Sequence, residues 1–145
     1  MGGLIGGICI WLYEALVWVG IQHLMPLAAI PANAVGLVFG KAFQTGLGLA
    51  AYALGTAIHF TFAAGWGVGF ALLWPVLRDR KWEATLVALP YALVAWVIMH
   101  GAILIISTSH PDYDDPNIVI GGLMSHLFFT VPMALVVKNA LPQLD

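Results

Sequence analysis

Residues 46–77 read GLGLAAYALGTAIHFTFAAGWGVGFALLWPVL, a run without a single Asp, Glu, Lys or Arg and with one histidine, His59, inside it. A helix needs about 20 apolar residues to cross the hydrocarbon of a bilayer. This run exceeds that, so its helix should tilt or protrude. Three further apolar stretches, at about 4–24, 84–107 and 117–137, have the same character. The spacing predicts an all-α integral membrane protein, an up-down bundle of four transmembrane helices forming one domain over residues 1–145.

Composition supports the same class. The chain is 61% hydrophobic and only 8% charged, against about 25% charged residues in soluble domains. Five Lys and Arg in 145 residues leave no basic tract for phosphate, so nucleic acid is not an expected partner. A single cysteine, Cys9, excludes an intrachain disulfide and a cysteine-based zinc module. The N-terminal run has no positive charge before it and no small-residue cleavage site after it, and is read as a retained helix.

Residues 27–45 do not fit a span. Pro31, Gly36, Gly40 and Lys41 interrupt the hydrophobicity, and a short interfacial or re-entrant segment after helix one is expected. Gly2, Gly3, Gly6 and Gly7 form two small-xxx-small pairs for close helix packing. Arg78, Arg80 and Lys81 cluster in one short loop. The positive-inside rule places that loop, Lys138 and both termini in the cytoplasm, with the acidic turn at 110–115 outside.

The chemistry lies in four polar side chains, one per predicted span: Glu14, His59, His100 and His126. An ionisable residue within a span is by default a functional hypothesis. At 1.5 Å rise per residue, all four fall roughly 10–15 Å below the outer end of their helices. On the helical period His59 shares a face with Tyr52, Gly55, Thr56, Ala63 and Trp66. His126 shares one with Gly122 and Thr130, and Glu14 one with Trp11, Trp18 and Gln22. These faces are small, hydroxylated or aromatic, as an inward face would be. The neighbours of His100 (Trp96, Val97, Ile103 and Leu104) are bulky and leave its direction open.

Three imidazoles and a carboxylate suit a transition metal ion, Zn, Cu or Fe. A divalent ion would also offset the cost of Glu14 in hydrocarbon. Haem b on two of the histidines ranks below a bare ion, because the outer side offers only Lys41 and a protonated His110 to the propionates. Asp112, Asp114 and Asp115 would concentrate cations at the mouth, with His110 as an entry ligand. Two other readings compete with a redox or metal-handling role. One is a non-catalytic accessory subunit of a larger membrane complex or homo-oligomer, its histidines only bonding neighbouring helices. The other is a proton-coupled, acid-response protein. His23 beside Gln22 reads as interfacial. Ser107, Thr108 and Ser109 lack an acid partner for hydrolase chemistry, and no enzyme activity is assigned.

The order and spacing of His59-Phe60, His100 and His126, with the glycine-rich second helix, the charged turn and the hydropathy profile to Val137, resemble the YagU-type bacterial inner-membrane proteins. The resemblance implies a multi-pass protein of the bacterial inner membrane with a link to acid tolerance, and no biochemical activity. This chain departs from that pattern in being shorter before helix two and in carrying Glu14.

Overall fold

The computed structural model describes residues 1–106 and 111–141. Helix α1, Gly2–Tyr13, runs without a break into a π-helix, Glu14–Ile21. Two short helices follow, α2 (Ala29–Phe39) and α3 (Lys41–Gly46), and then three long ones, α4 (Ala50–Asp79), α5 (Ala84–Ile106) and α6 (Pro116–Ala140). Among the described residues four segments are long and apolar enough to cross a membrane, Gly2–Ile21, α4, α5 and α6.

Glycine sets how closely α1 approaches its neighbours. Gly2 and Gly6 face α6, where added methyls would run into the Met133 and Phe129 carbonyls. Gly3 and Gly7 face α4, where they would meet the Ala63 backbone and the Phe60 ring. The two glycine pairs thus serve two different helices, and all four residues are buried. Gly67 of α4 returns the contact: a methyl there would stand 2.6 Å from the Gly3 Cα.

The core gathers Phe70, Trp74, Val87, Phe129, Met133 and Val137. Polar crosslinks pin it, with the buried Thr130 hydroxyl donating to the Ala88 carbonyl (3.1 Å) and the Tyr91 hydroxyl to the Trp66 carbonyl (2.8 Å). Outward-facing side chains are large and apolar, among them Leu16, Leu72, Leu86, Val97 and Ile105. That is the surface a helix presents to lipid rather than to water.

Several boundaries differ from those read in the sequence, each for a local reason. The first long segment ends at Ile21 rather than at residue 24, because His23 takes a left-handed backbone (φ 53°) that no helix continues. Helix α4 starts at Ala50 rather than 46, since Gly48 is also left-handed (φ 53°) and residues 47–49 turn. It continues past Pro75 to Asp79. Helix α6 is longer than read, at Pro116–Ala140. It starts at Pro116 because Asp115 caps it, accepting from the Asn117 backbone N–H at 2.8 Å.

Helix α2 has 11 residues, a rise of about 17 Å, too short to cross. It lies against α4, with the Pro31 carbonyl pressed on Gly55 where no β-carbon fits. The expectation that 27–45 holds no full span agrees with this length. At the opposite end of α4, Glu83 and Lys138 pair at 3.1 Å and Arg78 donates to the Leu141 carbonyl (3.1 Å).

Candidate functional site

The four polar residues of the long helices line one cavity of about 480 Å³. Glu14, His59, His100 and His126 come to it from four different elements, and α2 and α3 add Asn33, Lys41 and Gln44. The rest of the wall is mostly apolar or aromatic, including Ile10, Trp18, Phe62, Trp66, Ile103 and Phe129.

Each histidine is held differently. His59 Nε2 lies 3.0 Å from the Gly7 carbonyl, across the α1–α4 contact, and Trp11 stacks on its ring at 5.0 Å. That bond exists because Gly7 carries no side chain between the helices. His126 bonds within its own helix, Nδ1 to the Gly122 carbonyl at 2.8 Å. His100 bonds through Nδ1 to the Tyr113 hydroxyl at 2.9 Å and is tilted against Trp96 at 4.9 Å. Its ring centre stands 5.8 Å from that of His126.

A carbonyl oxygen can only accept, so the nitrogen facing it carries the hydrogen. In a neutral imidazole the other nitrogen is then a lone pair, and an apolar interior favours the uncharged ring. His59 therefore leaves Nδ1 bare and His126 leaves Nε2 bare, two opposite tautomers. Neither bare nitrogen, nor the Glu14 carboxyl, has a hydrogen-bond partner among the described residues. A histidine anchored through one nitrogen to a carbonyl is oriented to ligate or accept with the other.

The backbone around Glu14 is unusual. It opens the π-helix, whose wider turn is shown by the Gln22 N–H bonding to the Val17 carbonyl five residues back (2.8 Å). Such turns concentrate at functional sites. They also rotate the residues that follow, so the 3.6-residue period does not describe 14–21.

His100 reaches the cavity, the point its sequence neighbours left open. Trp96 covers its ring and Ile103 shares the lining, while Val97 and Leu104, on its other flank, are exposed. Glycine again makes the room: a methyl on Gly122 would lie 2.8 Å from Trp96 Nε1 and 3.5 Å from His100 Nε2. Tyr113 was not singled out by the sequence, although an aromatic in a polar turn was a signal. Burial pushes its phenol above the usual range, so the hydroxyl keeps its proton. Asn33 and Gln44 were missed as well. Their amides bond weakly to each other at 3.4 Å.

The expected metal cluster is not preformed. Among the described residues no three His, Cys, Asp or Glu side chains stand close enough to hold an ion. His59 is drawn toward α1 by Gly7, and only His100 and His126 make ring contact with each other. Of the acidic turn, Asp115 caps α6 and Asp112 accepts from the Asp114 N–H (3.1 Å), so two of its three carboxylates fix the turn. His110, Ser107, Thr108 and Ser109 lie outside the described residues. His23 is exposed. Comparison of the chain with protein-family models, curated proteins and solved structures finds no match.

Proposed function

We propose that this is a small multi-pass membrane protein that binds a cationic ligand in an intramembrane cavity between Glu14, His59, His100 and His126. One observation carries the reading. Side chains from four elements line one cavity, and the acceptors of His59, His126 and Glu14, on three of them, have no partner among the described residues. Unpartnered polar atoms in an apolar interior are costly, and a ligand that donates to them removes the cost. With the 78–81 turn in the cytoplasm, the cavity sits toward the outer face of the membrane.

A transition metal ion or haem iron is the second reading. The contact between His100 and His126 supports it, since two imidazoles 5.8 Å apart centre to centre suit an ion that completes its shell from outside the protein. The absence of a third close ligand among the described residues places it behind.

The test is the bound content of the protein purified in mild detergent without a histidine tag, by native mass spectrometry and elemental analysis. A bound cation, organic or metallic, should be present or be taken up on addition, and be lost in both His59→Ala and His126→Ala. An empty protein that takes up neither an organic ammonium nor Zn²⁺ would overturn the proposal.

A further inference from the structure

Resting on that cavity reading, we infer that the ligand is a primary ammonium group on an apolar body, a lipophilic amine, with its head against Glu14 in the cavity that His59 and His126 also line. The argument begins with hydrogen-bond polarity. The bare Nδ1 of His59, the bare Nε2 of His126 and the Glu14 carboxyl are all available to accept. The indole N–H groups of Trp11, Trp18 and Trp96 have no partner among the described residues, but they are sealed from the cavity surface. Trp18 Nε1 lies 3.0 Å from where a methyl on Gly121 would stand, and Trp96 Nε1 packs on Gly122 in the same way. The wall thus offers acceptors at depth without accessible indole donors. A primary ammonium has three donors and no acceptor.

Size and lining favour an organic cation over an ion. The cavity of about 480 Å³ falls in the range of small-molecule sites, roughly 300–1,000 Å³. A bare ion would leave most of that volume unfilled, and no three close ligands are offered to it. Phe62, Met99, Ile103 and Phe129 give a hydrocarbon body apolar contact. Trp18 and Trp66 line the same wall, and aromatic rings attract ammonium groups that stand over their faces. Lys41, also in the lining, is exposed on the short α3, where it is the first residue of the helix.

The experiment titrates the intact protein in detergent micelles with three probes, following tryptophan fluorescence: 4-phenylbutylamine, the uncharged 4-phenylbutanol, and Zn²⁺. Both organic probes partition into micelles through the same hydrocarbon body, so their difference reports the ammonium. The amine is expected to bind saturably and at least about tenfold more tightly than the alcohol, the scale of one lost charge-assisted hydrogen bond. Glu14→Gln, close to isosteric, should remove most of that preference. Equal binding of amine and alcohol would overturn the ammonium assignment while leaving the cavity as a binding site. Tighter binding of Zn²⁺ than of the amine would overturn it in favour of the metal. Binding of none of the three would remove the cavity reading itself. The comparison on the unaltered protein stands even if the variant does not fold.

Discussion

Gly65 and Gly67 stand two residues apart in α4, and the same substitution at each should move stability in opposite directions. A methyl on Gly65 meets nothing within 4 Å. Gly65→Ala should therefore gain only the helix propensity of alanine, about 0.5–1 kcal/mol. A methyl on Gly67 would stand 2.5 Å from the Gly3 amide nitrogen and 2.6 Å from its Cα. Both atoms are backbone, so no side chain can swing away. To reach ordinary contact at 3.4 Å, α1 and α4 must separate by about 0.9 Å. Separation loosens the neighbouring Gly7–Phe60 contact and the His59–Gly7 bond. Overpacking of this kind costs about 1–3 kcal/mol, and the propensity gain offsets only part of it. Thermal unfolding in a fixed detergent, followed by tryptophan fluorescence, should show Gly65→Ala at or above the unaltered protein and Gly67→Ala clearly below it. Two variants shifted equally, or Gly67→Ala the more stable, would refute the close α1–α4 approach.

Other outcomes follow from the same contacts. Asp115→Ala removes the α6 cap and should cost about 1 kcal/mol in the same unfolding assay, and Asp115→Asn should retain most of it. Gly122→Ala pushes on Trp96 and His100, so it should weaken binding of 4-phenylbutylamine several-fold. Gly101→Ala, with nothing within 4 Å of the added methyl, should leave binding unchanged. Tyr113→Phe takes the partner from His100 Nδ1 and should cost about 1 kcal/mol, with amine affinity reduced less than by Glu14→Gln. Equal losses would move the binding head from Glu14 toward His100.

The parts of this architecture legible in the sequence are those written in composition and spacing. Four long apolar runs gave four long helices. The proline and glycine breaks in 27–45 gave helices too short to span. Gly2, Gly3, Gly6 and Gly7 announced close packing, though not that alternate pairs would face α6 and α4. Counting residues put Glu14, His59, His100 and His126 at one level of their helices, and the four do line one cavity. Direction was harder. His100 sits among bulky residues, and its inward rotamer depends on Gly122 leaving room and on Tyr113 reaching back from the turn, contacts without a periodic signal. The π-helix at 14–21 shifts its register by a backbone hydrogen bond that no residue type dictates. Depth alone also suggested a closer cluster than exists, because His59 bonds across to Gly7 rather than toward the other two rings.

The most direct test of the account is ¹⁵N NMR of the protein with labelled histidine, in micelles near neutral pH. The two tautomers of neutral imidazole give distinct nitrogen and proton correlations. His59 should carry its hydrogen on Nε2 and His126 on Nδ1, and both bare nitrogens should shift on saturation with 4-phenylbutylamine. The same tautomer at both residues, or bare nitrogens unmoved by the amine and by Zn²⁺, would contradict a cavity whose acceptors await a ligand.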